Sequence, residues 1–432
     1  MLRILWALAL VAVVAIPAFG QSTVPLPAAR LADLTAEALR RSPAVAAARA
    51  EVEARRAMES PAGALPDPML EAVLQNVSFK PTVGKDENSL LGIEASQGLP
   101  YPGKRAAARA MAAGETTQAA ATLAALERQV VAEVATLYAQ IYALDRERET
   151  LTAATELIDL LEQIAHSRYA AGEGDQEGIL KIQIERLRNS EKLGDLANLR
   201  HSTVAGLNRW LDRPGDEHFE PVAALPEALP ITADTAEAEI RAVAHSAEVA
   251  RAAAAVRVAE RRVKVARLDL KPNFSAGAGI SSRGGLEPVL VARFGVELPF
   301  WRRQKQLPLL SAAGWQLEAA RRELADAQAT ARSEAAHQVS AWTNAERQAT
   351  LYREGILPET SFALDAARSS YLNGRGTFST VIEDFELWLD ARVALARRDA
   401  DRFMARVEFD RLVGTGETAS PAPSADTLEE QR

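Results

Sequence analysis

The longest regular pattern in the sequence is a run of apolar positions with helical spacing in the first half of the chain. The positions are Val130, Val134, Leu137, Ile141 and Leu144. Because their spacing alternates between four and three residues, it predicts a coiled-coil seam. The helix that carries them extends from Gly103 to Ala170, roughly 68 residues or on the order of 100 Å at the usual rise per residue. A helix of that length does not fit inside a compact globular domain.

A second helix with a similar apolar stripe follows each long helix after a glycine-containing turn. The stripe comprises Leu180, Ile184, Leu187, Leu193, Leu196 and Leu199 in the first half, and Val381, Phe385, Trp388 and Leu395 in the second. Residues three and four apart share one face of a helix. The pattern therefore predicts two antiparallel helical hairpins, with their tips near Gly172 and Gly374.

Two pairs of strands are predicted at matching places, because apolar residues alternate there with small or polar ones, as they do in strands. The predicted strands span about residues 67–79, 89–99, 272–282 and 289–299. In the third strand Phe274, Ala276, Ala278 and Ile280 share one face, whereas Ser275, Gly277, Gly279 and Ser281 share the other. Each run has about 10 to 12 residues, close to what a tilted strand needs to cross a membrane. A soluble sheet with one solvated face gives the same alternation.

The chain is predicted to be a tandem repeat, with two related halves offset by about 200 residues. The matching segments are Leu39–Arg56 with Val243–Glu260, Glu94–Arg105 with Phe294–Gln304, and Ser167–Glu185 with Ser369–Glu386. The two segments of the first pair are each predicted to be one alanine-rich helix. The first half is assigned to residues 21–210 and the second to residues 236–413. The proline-rich segment between them, residues 211–235, has no periodicity and is predicted to be a connection.

Four strands per chain are too few to close a membrane barrel. Open strand edges are not viable in lipid, because each unpaired backbone group costs several kcal/mol there. If identical copies shared one barrel, three chains would supply about twelve strands, a size found among membrane barrels. This count favours a homotrimer in contact with membrane lipid, a prediction that also rests on the family resemblance given below. The fold class is mainly α with a small β part.

The two ends of the chain differ in composition from the rest. Residues 1–20 contain Arg3, an apolar stretch from Leu5 to Ile16 and a small-residue site at Ala18–Gly20. This order predicts an export signal peptide. Residues 414–432 are small, polar and proline-containing, and we expect them to be disordered.

Composition and motifs exclude several kinds of function. The sequence has no cysteine, which removes disulfides and thiolate metal sites, and its net charge of -8 disfavours nucleic-acid binding. A phosphate-binding glycine loop, a zinc-protease helix and a nucleophile elbow are all missing from the sequence, so we predict neither an enzyme nor a cofactor. The five histidines are scattered, and none forms a pair at metal-ligand spacing.

Several motifs together resemble the TolC family of outer-membrane efflux proteins. They are the segment Leu65–Leu70 (LPDPML), the segment Ser96–Arg105 (SQGLPYPGKR), and the two Tyr-x-x-Gly turns at Tyr169 and Tyr371. The resemblance covers nearly all of the chain after the signal. It implies a passive channel in the outer membrane of a Gram-negative bacterium, with a large periplasmic part. Such a channel works with a periplasmic adaptor, or membrane fusion protein, and an inner-membrane pump, which we expect to be of the RND type.

The resemblance also implies roles for residues at the hairpin tips. Gly172, Gly174, Gly374, Arg375 and Gly376 correspond to tips that contact the adaptor. After the second tip, family members place acidic side chains around the closed periplasmic entrance. The two corresponding positions here are Thr380 and Glu383, so one acid is replaced and one is kept, and Asp384 is the neighbour of Glu383. A glycine that only forms the turn, or a glutamate that is only solvated, would give the same sequence.

The cargo is less closely defined than the channel. The segments LPDPML and PYPGKR resemble most closely the heavy-metal branch of the family, so exported metal ions or small toxic compounds are expected. Since the sequence offers no metal-ligand cluster, selection would belong to the pump. The alternative is a soluble periplasmic coiled-coil scaffold or adaptor, which the helices alone would also suit. The alternating strands favour the channel.

Overall fold

The computed structural model of the chain describes residues 31–76, 85–86, 88–174 and 176–414. The helices are α1 (Leu31–Arg41), α2 (Pro43–Ala62), α3 (Lys104–Ala170), α4 (Gln176–Trp210), α5 (Thr235–His245), α6 (Ala247–Leu268), α7 (Gln306–Leu351), α8 (Leu357–Leu372) and α9 (Phe378–Val413). The strands are β1 (Met69–Gln75), β2 (Leu90–Leu99), β3 (Asn273–Arg283) and β4 (Leu286–Glu297). The predicted signal peptide and the predicted disordered tail, apart from Gly414, lie outside the described residues.

Each half of the chain contains one very long helical rod. In the first half the rod is α3, with 67 residues. In the second half a π-helical turn, Tyr352–Ile356, joins α7 to α8, so that a rod of the same length runs from Gln306 to Leu372. Pro358 lies directly after this turn, in the first turn of α8. Proline has no N–H to donate to a helical carbonyl, and the wider π-helical turn before it accommodates the missing hydrogen bond.

The helix that opens each half is broken in two, which the sequence pattern did not predict. Leu39–Arg56 was expected to be one helix, but it is interrupted at Ser42, and α2 starts with Pro43. Proline restricts the residue before it and is tolerated in the first turn of a helix. In the second half the break falls at Ser246, which is extended and precedes α6.

The hairpin seam predicted on α3 is confirmed, but much of the seam predicted on α4 is wrong. Val130, Val134 and Ile141 are fully buried. On this part of α4 the buried apolar side chains include Ile179, Ile182 and Leu196, whereas Leu180, Ile184, Leu187 and Leu199 are exposed. Adjacent positions on a helix differ by about 100° in direction. Two apolar stripes lie side by side on α4, and α3 packs against the one that includes Ile179.

A buried carboxylate fastens the connection between the halves to both helices of the first hairpin. Asp145 accepts a hydrogen bond from Arg200 on α4 at 2.7 Å and another from the backbone N–H of Val222 at 2.9 Å. Arg200 also donates to the carbonyl of Phe219 at 2.9 Å. The connection ends one residue earlier than predicted, because Asp234 caps α5 by accepting from the backbone N–H of Glu237.

The four strands form one antiparallel sheet in the order β1-β2-β3-β4. β1 starts at Met69 rather than residue 67, after Pro68, and residues 77–79 of the predicted strand lie outside the described part. β4 begins earlier than predicted because the turn is only Gly284–Gly285, and it ends at Glu297, before Pro299. Within the described residues, no helix is both long and apolar enough to cross a membrane.

Candidate functional site at the hairpin tips and the sheet face

The two hairpin tips have the same backbone structure. At the first tip Gly172 has φ of 74° and the N–H of Glu173 donates to the carbonyl of Arg168, while at the second Gly374 has φ of 72° and the N–H of Arg375 donates to the carbonyl of Ser370. This six-residue bond with a left-handed glycine is the Schellman end of a helix. A side chain at either glycine would be strained by the positive φ. The tips predicted from the Tyr-x-x-Gly pattern are therefore helix reversals.

The second glycine of each tip is needed for space rather than for backbone conformation. A Cβ atom on Gly174 would lie 3.0 Å from the backbone nitrogen of Tyr169, and one on Gly376 would lie 3.3 Å from the Cβ of Ser370. Both distances are tighter than ordinary van der Waals contact. A side chain at either of these glycines would therefore clash with the preceding turn of its own tip.

Arg168 links the first tip to the second. Its guanidinium lies over the ring of Tyr371, 4.6 Å from the ring centroid, and donates a hydrogen bond to the carbonyl of Tyr371. The same side chain is 3.7 Å from Glu173 on its own tip. A cation over an aromatic face is attracted by the ring quadrupole. Sequence reasoning missed this role of Arg168, because Arg168 looks like any solvated helix residue.

Lys181 makes a second link between the hairpins, just above the tips. Its ammonium group donates to the hydroxyl of Ser379 at 2.8 Å and pairs with Glu177 at 2.8 Å. The inner side of the second tip is filled by Tyr371 and Phe378, whose ring centroids are 5.1 Å apart. The two tips are therefore held together within one chain.

The predicted gate residues lie on the first turns of α9, facing away from the hairpin core. Thr380 is exposed and interacts with the capping residue Thr377, which accepts from its N–H at 3.3 Å. Glu383 is exposed and Asp384 is half-buried, whereas Val381 and Phe385 are fully buried. The structure thus brings Thr380 and Glu383 to one outward face, and the backbone N–H of Thr380 is the group that the N-cap of α9 satisfies. At the tip, Arg375 is exposed as well.

A pair of carboxylates that sequence reasoning missed lies further along the same hairpins. Glu185 on α4 is buried, and Glu386 lies beside it on α9, with Arg188 3.4 Å from the first and 3.7 Å from the second. Burial, together with the charge of Glu185, raises the pKa of Glu386 above its ordinary value. The signal that could have revealed this pair is a glutamate at a buried position of α4. It could not be recognised from the sequence, because the buried face of α4 was not known.

The apolar face of the sheet is exposed, and its polar face is partly covered. Paired residues such as Ile93 and Ile280, or Phe274 and Val296, share one side of the sheet, and these side chains are exposed. On the opposite side, which is polar, Ser281 and Glu94 are buried. A soluble sheet covers its apolar face and exposes its polar one. The exposed apolar face is instead what a membrane strand presents to lipid.

The polar side of the sheet contains a salt bridge that reaches across a strand. Glu94 on β2 pairs with Arg293 on β4 at 3.1 Å, over β3. A Cβ on Gly279 would lie 3.1 Å from the Cβ of Glu94, and one on Gly277 would lie 3.3 Å from a carboxylate oxygen of Glu94. These glycines leave the space that the glutamate side chain occupies.

Metal binding within the chain has no support in its described part, where no group of three or more histidine, aspartate or glutamate residues could hold an ion.

Comparisons with known proteins agree with this geometry. The family model described as outer membrane efflux protein matches residues 34–211 and 241–415, which is most of both halves. Similar solved structures include the outer membrane protein VceC from Vibrio cholerae, with 18% identity, a TM-score of 0.76, and coverage of 89% of this chain and 96% of that one. No curated protein sequence matches the chain.

Two further structures have the same fold at low identity. CusC, described as forming a transmembrane channel, has 14% identity and a TM-score of 0.75, and the match covers 89% of this chain and 92% of that one. The CmeC outer membrane channel from Campylobacter jejuni has 12% identity and a TM-score of 0.75, with 93% and 88% covered. With its repeated hairpins, its outward apolar sheet face and a family match over both halves, the chain belongs to the outer membrane efflux protein family.

Proposed function

We propose that the chain is the outer-membrane exit duct of a tripartite efflux system, in which an adaptor and an inner-membrane pump deliver the substrate. The observation that carries this proposal is the sheet whose apolar face is exposed, at one end of two helical rods on the order of 100 Å long. The duct does no chemistry and is not an enzyme. A soluble periplasmic scaffold, the alternative, would have no use for an apolar face exposed along four strands, and the family match argues against it as well.

The functional unit in this proposal is a homotrimer. Among the described residues, the outer strands β1 and β4 each have one edge that no other strand pairs with, and they run in opposite directions. If β4 paired with β1 of the next copy, the ring would be antiparallel throughout and have about twelve strands. The exposed stripe of Leu180, Ile184 and Leu187 on α4 supports helix packing between copies in the same assembly.

The hairpin tips are the proposed contact with the adaptor. Gly172, Gly174, Gly374, Arg375 and Gly376 lie at the end of the hairpins furthest from the sheet, since α3 and the α7–α8 rod each run from the sheet to a tip. Arg375 is exposed, and no ion pair involves it among the described residues. Its charge is therefore available to a partner's acidic group.

The periplasmic gate is proposed to lie on the outward face of α9, at Thr380, Glu383 and Asp384. In a trimer this face would occur in three copies around the axis, so that carboxylates would repel one another. A bound cation or a proton would relieve that repulsion.

The pump is proposed to be of the RND type, and the cargo to be heavy-metal ions or small toxic compounds selected by the pump.

Export by the intact channel tests the proposal. We expect a strain that lacks the gene to lose tolerance to metal ions or toxic organic compounds, and the wild-type chain to restore it. Arg375→Glu should fail to restore tolerance while trimers remain intact on unheated gels. The matched control is Arg332→Glu, an exposed arginine on α7 with the same change of charge. Unchanged tolerance with Arg375→Glu would contradict the adaptor role of the tip, and unchanged tolerance without the gene would contradict the export role.

A further inference from the structure

An exposed aromatic and basic segment follows β4 at the helical end of the sheet. It consists of Phe300 and Trp301, followed by Arg302, Arg303 and Lys305. The side chain of Phe300 is 81% exposed and that of Trp301 is 73% exposed. We refer to these five residues as the basic collar.

The basic collar is continuous with the apolar face of the sheet. Phe294, Val296 and Leu298 lie on that face or directly after it and are exposed, and Phe300 follows at the next alternate position. Each connection between a helix and the sheet lies at this end, because α2 leads into β1, β2 into α3, α6 into β3, and β4 into α7. With the helices in the periplasm, the collar therefore lies at the periplasmic boundary of the lipid-facing surface.

The cations of the collar have no ion-pair partner in the part of the chain that the structure describes. No ion pair involves Arg302, Arg303 or Lys305 among the described residues, and the first turn of α7 contains no acidic residue. All three residues are exposed. Three neighbouring cations without a partner repel one another, and an external anion would relieve this repulsion.

The first half of the chain provides an internal comparison. Lys104 and Arg105 occupy the corresponding place after β2, but both are used within the chain. Lys104 donates to Asn273 at 2.9 Å and to the carbonyl of Lys271 at 3.0 Å, and Arg105 donates to the carbonyl of Gly63 at 2.8 Å. At this position of the repeat, the cations of the first half are thus bonded within the chain, whereas those of the second half are free to bind a ligand.

We propose that the basic collar binds the anionic headgroups of phospholipids in the inner leaflet of the outer membrane. Aromatic side chains favour the boundary between hydrocarbon and headgroups, and arginine or lysine near that boundary is attracted to anionic lipid. A guanidinium also matches the geometry of a phosphate diester. The collar would fix the depth of each chain in the membrane. This inference depends on the outer-membrane location and not on the adaptor, the pump or the gate.

Lipid retention by the purified full chain tests the proposal. The protein is equilibrated in detergent with equal amounts of phosphatidylglycerol and phosphatidylethanolamine of identical acyl chains, and the bound lipids are counted by native mass spectrometry. We expect enrichment of phosphatidylglycerol. In the variant Arg302→Gln, Arg303→Gln, Lys305→Gln this enrichment should fall by about fivefold or more, which corresponds to about one cation's attraction to an anionic surface.

Two matched variants make the result specific. Arg302→Lys with Arg303→Lys keeps the charge and should keep the enrichment. Arg321→Gln, Arg322→Gln, Arg332→Gln removes three exposed charges further along α7 and should also keep it. Equal binding of both lipids by the wild type, or enrichment that survives in the collar variant, would overturn the proposal. Loss of trimers in the collar variant with unchanged lipid preference would overturn it as well, because the cations would then serve the contact between copies.

Discussion

Asp145 is a buried charge that joins α3 to α4 and to the connection between the two halves. Its side chain is almost completely buried, with 1% exposed, yet it bonds to Arg200 and to the backbone of the connection between the halves. Removing one partner of a buried ion pair leaves the other charge without compensation. We expect Asp145→Ala to lower the free energy of unfolding by about 3 kcal/mol or more.

Thermal unfolding of the purified chain, followed by circular dichroism, measures this effect. Asp159→Ala is the control, because Asp159 is an exposed aspartate on the same helix. Its effect should remain within about 0.5 kcal/mol, as for most surface substitutions. Equal melting temperatures for the two variants would show that the Asp145 network does not stabilise the fold.

The raised pKa of Glu386 predicts that the stability of the folded chain depends on pH. Its pKa is raised by burial and by Glu185, so the folded chain binds the proton more tightly than the unfolded chain does. The stability that protonation contributes is complete below the unfolded pKa and is lost as the pH rises through the folded pKa. We therefore expect Glu386→Gln to melt at a higher temperature than the wild type at neutral pH, with a difference that disappears as the pH falls towards the ordinary carboxyl value.

A second variant strengthens the pH measurement. Arg188 lowers the pKa of Glu386, so Arg188→Gln should raise this pKa further and move the pH-dependent range upward. Melting temperatures recorded across the acidic and neutral range test both expectations. A difference between Glu386→Gln and the wild type that does not vary with pH would contradict the raised pKa.

Residues could be predicted from the sequence where their role depends on local backbone. Gly172 and Gly374 were found because a helix reversal needs a left-handed residue. Arg168, Glu185 and Glu386 were missed, since their roles depend on which side chains come from the other hairpin. Neither spacing nor residue type reports such contacts between distant segments.

Among the helices, the link between the two hairpins is the feature with the clearest consequence. Arg168 connects the first tip to Tyr371 on the second. We expect Arg168→Ala to speed amide hydrogen exchange in the second tip by an amount that corresponds to about 1–3 kcal/mol, because a charged hydrogen bond and a cation–π contact are lost.

Hydrogen exchange with mass spectrometry resolves this local effect. Arg186→Ala is a suitable control, because Arg186 pairs only with Glu162 on its own hairpin among the described residues. Unchanged protection around Tyr371 in the Arg168 variant would mean that the tips are held by other contacts, such as that of Lys181.

The helices themselves were predicted more accurately than their faces. The bounds of α3 and the position of the tips follow from long periodic runs and turn residues, which are local signals. The seam of α4 was assigned to Leu180, Ile184 and Leu187, and in the structure these side chains are exposed. A helix with two apolar stripes does not reveal from its sequence which stripe faces its own chain.

For the whole molecule, the exposed stripe on α4 predicts how copies associate. If it packs against a neighbouring chain, a charge placed in it would be buried without a partner. We expect Leu187→Asp to remove trimers, since an uncompensated buried charge costs several kcal/mol. Thr152→Asp, at an exposed polar position on α3 outside this stripe, should leave them intact. Mass measured in detergent distinguishes the two, and trimers with Leu187→Asp would contradict the proposed seam.

From the sequence, the sheet could face either lipid or water, because alternation alone fits a membrane sheet and a soluble sheet equally well. The structure adds the decisive geometry. The rods leave the sheet at one end instead of covering its apolar face, and residues such as Leu290 and Phe294 remain exposed. The polar face is the one that is shielded, around Glu94.

The orientation of this sheet in lipid is the most direct test of the account. The chain has no cysteine, so each cysteine introduced along β4 from Leu290 to Val296 would carry the only spin label. In reconstituted membranes, collision rates with oxygen and with a water-soluble nickel chelate report lipid and water around each label. We expect oxygen contact at Leu290, Ala292, Phe294 and Val296, and nickel contact at the positions between them. Nickel contact at Leu290 and Phe294, without alternation along the strand, would contradict a membrane channel.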